Sequence, residues 1–171
     1  RLAADPDFDG VLCLPGSHTK WARISAGEVV SFQTEMTGEL FAAISRHTVL
    51  RPTVGGDGWY DDAFAEGVAA AISRPEALAA RLFTLRGEAL LHGGRADAAR
   101  ARLSGLLIGA ELAAARPYWL GQQVAVVTDR DDPTGHTSAL TAQGVPACLH
   151  PPAELITPGL AALAGALGLG T

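Results

Sequence analysis

Five consecutive residues, Gly16-Ser17-His18-Thr19-Lys20, put a glycine, two hydroxyls, an imidazole and an ammonium at the turn of the segment "LCLPGSHTKWARI" (12–24). A tip that only reverses the chain needs less. Successive backbone N–H groups in such a loop can converge on one point and form a nest for an anion. Glycine lets a ligand come close to the backbone, Ser17 and Thr19 add hydroxyl donors, and Lys20 or His18 supplies positive charge. This donor set suits a polyphosphate. The same residues also have a plainer use. Serine and glycine favour turns in any case, and a lysine opening a strand is ordinarily a solvated edge residue. His18 serves either as a phosphate ligand or as a brace on the loop's flank.

A second group, Thr37-Gly38-Glu39, sits where a helix begins. Thr37 reads as its N-cap and Glu39 as an acid favoured by the helix dipole, which needs no ligand. At a cleft edge the same carboxylate could organise Mg²⁺-bound water or a sugar hydroxyl. Gly105 and Gly109 lie one turn apart on one helix face, where either another backbone or a flat ligand approaches closely; helix-on-helix packing is the expectation. Other chemistries find little support. Ser17 and His18 are adjacent on an extended segment, so their side chains point apart, and no G-x-S-x-G is present. The histidines at 18, 47, 92, 136 and 150 show no ligand spacing, and Cys13 and Cys148 are far apart, so no structural metal is expected. No catalytic base can be named.

The tip needs strands to hold it. Residues 11–14, 20–24 and 29–34 read as three short strands, the last two joined by the turn Ser25-Ala26-Gly27-Glu28. A helix follows from Thr37, with Leu40, Phe41 and Ile44 at helical spacing. The stretch "RPTVGGDG" (51–58) reads as a flexible connection rather than a phosphate cradle, because no strand precedes it and no lysine follows. Residues 63–72 read as a helix, and Ser73-x-x-Glu76 as a capping box opening another towards Leu85. The longest helix carries Leu103, Leu106, Leu107 and Ala110 on its buried stripe. The last third alternates: strand 124–127, helix 137–143, strand 145–149 and helix 158–167. The expected fold is therefore α/β: a mixed five-stranded sheet in the order β-β-β-α, a helical insertion over about 59–117, then β-α-β-α.

The chain has 171 residues, 48% of them hydrophobic, and a formal net charge of −5, which suits one domain with a sizeable core. Mild acidity without a basic stripe argues against nucleic acid or an anionic membrane as partner. The most apolar stretches are too short or too glycine-rich to span a bilayer. With no leader visible at Arg1 and both cysteines in strand-like runs, two buried thiols in a reducing cytoplasm are expected.

Taken together, the element order and the tip resemble the actin-like ATPase and sugar kinase fold, of ribonuclease H-like architecture. Within it, "LPGSHTKW" (14–21), "FQTEMTGELF" (32–41), "DAFAEGV" (62–68) and "LSGLLIGAEL" (103–112) resemble the signature segments of 2-dehydro-3-deoxygalactonokinases. The resemblance runs over nearly the whole chain. It implies that residues 1–171 are the second, C-terminal domain of a two-domain kinase whose N-terminal domain, with the catalytic carboxylate, is absent. It further implies ATP and Mg²⁺ as cofactors and a small sugar acid, 2-dehydro-3-deoxy-D-galactonate, phosphorylated at its 6-hydroxyl. The tip (Gly16 to Lys20) would hold nucleotide phosphates, and Thr37, Gly38 and Glu39 would serve metal or substrate. Gly105, Gly109, Thr128 and Asp129 would lie near adenosine. At Asp129 the superfamily usually carries glycine, and a carboxylate there either crowds the base or bonds the ribose. The alternative reading is a non-catalytic nucleotide- or anion-binding module of the same fold, and either reading admits a homo-oligomer.

Overall fold

The structure, a computed structural model, describes residue 5 and residues 7–129 and 132–168. Its chain divides into two compact units. One comprises Arg1–Pro15, Lys20–Thr34 and Tyr118–Thr171, the other Gly16–Thr19 and Glu35–Pro117.

The first unit is built on a five-stranded sheet. Its strands are β1 (Gly10–Leu14), β2 (Thr19–Ser25), β3 (Glu28–Glu35), β4 (Val124–Val127) and β5 (Ala147–His150), ordered β3-β2-β1-β4-β5. β2 runs antiparallel to β1, with Cys13 opposite Trp21, whereas β4 runs parallel to β1 and β5 parallel to β4. The sheet is mixed, as expected. β1 lies at its centre and is covered on both faces, which explains its unbroken apolar run. Leu12 packs with Phe8, Ile24 and Ala125 on one face, while Val11 and Cys13 are buried on the other. The β2–β3 turn places both Ala26 (φ 51°) and Gly27 (φ 78°) in the left-handed region, the geometry whose twist suits a two-residue hairpin. Helices α6 (His136–Ala142) and α7 (Pro152–Ala166) follow β4 and β5.

The second unit is helical: α1 (Thr37–His47), α2 (Asp61–Ser73), a 3₁₀ turn (Pro75–Ala77), α3 (Leu78–His92) and α4 (Ala96–Ala114). A short α5 (Arg116–Trp119) runs on into the first unit. Leu103, Leu106 and Leu107 of α4 form its core with Leu50, Val54, Ala71 and Leu85. Glycines let α2 and α4 meet backbone to backbone. A Cβ on Gly105 would stand 2.1 Å from the Phe64 carbonyl oxygen, and one on Gly67 2.6 Å from that of Arg102.

Several expectations are corrected. Thr37 is the first helical residue and Met36 the N-cap, with no side-chain cap bond, because Thr37 is buried rather than free to bond the helix end. Ser73 makes no capping box; its hydroxyl donates to the Ala70 carbonyl and closes α2, while Pro75 starts the 3₁₀ turn. α3 runs on to His92, where Gly93 in the left-handed region ends it. α7 begins at Pro152 rather than 158 and takes Pro158 inside it. Cys13 is buried, but Cys148 is exposed, so only one thiol belongs to the core. No helix among the described residues is long and apolar enough to cross a membrane.

Candidate functional site

The tip between β1 and β2 is seated on the start of α1. The Glu39 backbone N–H donates to the Ser17 carbonyl at 2.9 Å, and His18 Nε2 lies 2.5 Å from Glu39 Oε2. Between these bonds, Gly38 is pressed against the tip. A Cβ there would stand 2.3 Å from the Gly16 carbonyl oxygen and 2.9 Å from Ser17 Cα. The two sequence motifs, Gly16–Thr19 and Thr37–Glu39, are thus one structural element. Sequence spacing gives no hint of this, since the bonded residues are 21 positions apart.

Within that element the side chains divide. Gly16, Ser17 and His18 are exposed, and a Cβ on Gly16 would meet nothing within 4 Å, so its backbone lies open to an approaching group. Thr19 is different. It is fully buried, and its Oγ1 has no hydrogen-bond partner among the described residues. Strand alternation accounts for this, because Thr19 and Trp21 share the inward side of β2 while Lys20 lies between them, exposed. Of the two hydroxyls expected at the tip, that of Thr19 faces inward and that of Ser17 is exposed. His18 braces the loop through Glu39, one of the two roles open to it.

Thr37 lines a hollow of about 190 Å³ bounded by Glu35, Met36, Leu40, Leu78, Leu107 and Glu111. Glu111 is a buried carboxylate on α4 that the sequence motifs did not single out. Its place within an apolar helical stripe was the available signal. Hydroxyl groups suit this lining, which already holds Glu35 and Glu111, better than a third carboxylate, since like charges repel.

The helix glycines have protein neighbours. Gly105 and Gly109 both face the α2 backbone; a Cβ on Gly109 would stand 2.5 Å from the Val68 carbonyl oxygen. That face is filled by the α2 backbone, which is the helix-on-helix packing expected from their spacing. In the first unit, Thr128 is buried and donates its N–H to the His150 carbonyl, while Asp129 is exposed with its carbonyl accepting from Asp132 N–H. Arg130 and Asp131 lie outside the described residues. Asp132 has a structural task. Its carboxylate accepts the Thr134 hydroxyl and the Thr137 N–H at the start of α6. Gly56 and Gly58 close over Asp97, whose Oδ1 accepts the Gly58 N–H at 3.0 Å, so these two glycines pack on a carboxylate rather than opening a cradle for phosphate.

These features define an α/β protein whose mixed sheet carries an open, glycine-led tip bonded to a helix start. The family model for 2-keto-3-deoxy-galactonokinase matches residues 1–163. The chain belongs to that family. It is 48% identical over 112 residues to "Probable 2-dehydro-3-deoxygalactonokinase DgoK1" of Rhizobium meliloti (strain 1021), an alignment covering 61% of this chain and 35% of the relative. To the 2-dehydro-3-deoxygalactonokinase of Escherichia coli (strain K12) it is 33% identical over 105 residues, covering 61% of this chain and 36% of the relative. A crystal structure from Sinorhizobium meliloti that bears the same kinase designation superposes with a TM-score of 0.88 at 37% identity, covering 96% of this chain and 55% of its own. The chain therefore spans about a third of the curated relatives it matches and just over half of the solved structure.

Proposed function

We propose that this chain is the C-terminal domain of an actin-like, ribonuclease H-like sugar-acid kinase, with a helical insertion in its middle, and that it supplies the phosphate-holding wall of the cleft. The intact enzyme transfers the γ-phosphoryl group of ATP to the 6-hydroxyl of 2-dehydro-3-deoxy-D-galactonate. The observation that carries this reading is the tip, with its open Gly16 Cα side, its exposed Ser17 hydroxyl and its two hydrogen bonds to α1. Family membership narrows the substrate.

Phosphoryl transfer asks little covalent chemistry of the protein and much positioning. The 6-hydroxyl oxygen forms a bond to the γ-phosphorus as the bond to the β,γ-bridging oxygen breaks, and ADP leaves with that electron pair. The hydroxyl proton goes to a carboxylate in the part of the kinase outside this chain. Ser17 and the tip backbone hold phosphate oxygens by N–H and O–H donation, with Lys20 adding charge. An exposed glycine backbone beside a hydroxyl fits a phosphate chain. When bound with the nucleotide, Mg²⁺ would neutralise charge on the phosphates. Glu39 anchors the tip through His18, in preference to serving as a metal ligand. Thr37 and the hollow beside it suit the hydroxyl-bearing end of the sugar acid.

The test is an assay of ATP-dependent phosphorylation of 2-dehydro-3-deoxygalactonate by the full-length protein and by the 171-residue chain. The full-length protein is expected to turn over and the chain alone to be inactive. Turnover by the chain at an ordinary kinase rate would move the base into these residues. ATP binding by the full-length protein without transfer would favour the non-catalytic module, a reading that Asp129 in place of a glycine supports.

A further inference from the structure

α7 is a helix without a polar side. Its 15 residues, "PAELITPGLAALAGA", include one ionisable group, Glu154. Only Leu155 is buried; Ile156, Leu160, Leu163 and, just past the helix, Leu167 are between 55% and 63% exposed. Their spacing of four, three and four residues sets them in one narrow line, the pattern of a helix that packs against a partner. A solvated helix face carries charge, and this one carries none. A helix apolar all round belongs inside protein or lipid. At about 22 Å, 15 residues are too short for the roughly 30 Å of a bilayer core, in agreement with the absence of any membrane-crossing helix among the described residues.

We propose that α7 is the docking helix through which this chain packs against the remainder of the kinase. The proposal rests on reading the chain as one part of a longer kinase. Two observations favour this occupant. The family match extends to residue 163, so Ile156, Leu160 and Leu163 belong to the family's body and not to an appended tail. The solved relative carries nearly as much chain outside the matched part as inside it, enough to form a second body. A second copy of the chain fits less well. Four leucine-sized side chains a little over half exposed offer roughly 400 Å², about half of the ~800 Å² each partner brings to a standard interface. A helix apolar on every side also asks to be wrapped, which one symmetry-related helix cannot do.

The experiment uses full-length kinase in a background freed of reactive cysteines, Cys148→Ser included, with Leu160→Cys introduced and Leu90→Cys as an exposed control on α3. Maleimide labelling at position 160 is expected to be slowed about 100-fold or more relative to position 90, as for a group reached only by local opening, and independently of protein concentration. Labelling as fast as the control overturns the proposal. So does protection that appears only as concentration rises and light scattering reports a dimer, since a second copy is then the occupant. Should Leu160→Cys fail to fold, hydrogen exchange of the unaltered full-length protein decides. Protection of 156–166 comparable to that of β1 and β4 supports docking, and exchange within seconds overturns it. Phosphorylation of the sugar acid is assayed on the same samples. Its absence overturns the functional reading alone, while protection at position 160 still supports docking.

Discussion

The His18 imidazole and the Glu39 carboxylate, 2.5 Å apart, tie the tip before β2 to the first turn of α1. Both side chains are about half exposed, so the pair contributes little to global stability, under about 1 kcal/mol. Its effect is local. Glu39→Ala in the full-length kinase is expected to move the melting temperature by less than about 3 °C. The Michaelis constant for ATP should rise several-fold as the tip loses its anchor. Unchanged ATP kinetics would leave the pair as surface decoration.

Gly38 and Gly16 make opposite predictions although they touch. A Cβ at Gly38 would collide with the Gly16 carbonyl, and backbone cannot step aside as a side-chain end can. Gly38→Ala should cost about 1–3 kcal/mol and displace the tip, lowering both thermal stability and kcat/KM. Gly16→Ala has open space and should fold normally, yet raise the Michaelis constant for ATP by putting a methyl group where phosphate approaches. Thermal melts alongside ATP titrations separate the two cases.

Ser17 and Thr19 are likewise separable. Losing one hydrogen bond to a charged phosphate costs about 1.5–3 kcal/mol, so Ser17→Ala should lower kcat/KM roughly 10- to 150-fold with folding unchanged. The Thr19 hydroxyl is buried without a partner among the described residues, and an unmet buried polar group costs about 1–3 kcal/mol. Thr19→Val, nearly the same shape, should therefore leave ATP kinetics alone and hold or raise the melting temperature. A large kinetic loss in Thr19→Val would return that hydroxyl to the phosphate.

Asp129 is exposed at the end of β4, where a carboxylate can accept from ribose hydroxyls. Asp129→Gly is expected to change the Michaelis constant for ATP more than that for the sugar acid. Equal constants before and after would make it an ordinary surface turn.

Local pattern carried the sheet. Val11 to Leu14 is apolar because β1 is covered on both faces, and the Ala26-Gly27 turn fixes the next hairpin in sequence-adjacent residues. The tip's composition raised the expectation of an anion site. What sequence could not carry was the pairing of distant residues. His18 finds Glu39 only because the fold brings the start of α1 under the tip, and nothing in either segment encodes that approach. The inward turn of Thr19 was not legible either, because a hydroxyl beside a glycine turn reads as part of the turn, whereas β2 has already begun and strand alternation carries it inward. Ser73-x-x-Glu76 had the letters of a capping box, but Pro75 opened a 3₁₀ turn and Ser73 bonded backward. α7 was placed six residues late because Pro158 is a common helix start. Here Pro152 fills that role and the second proline is absorbed.

The glycine seam between α2 and α4 has a mechanical consequence. Where side chains separate two helices, rotamer changes absorb a small push. Where backbone meets backbone, as at Gly67, Gly105 and Gly109, there is nothing to give. The two helices form a single strut in which sliding one along the other meets backbone rather than a yielding side chain.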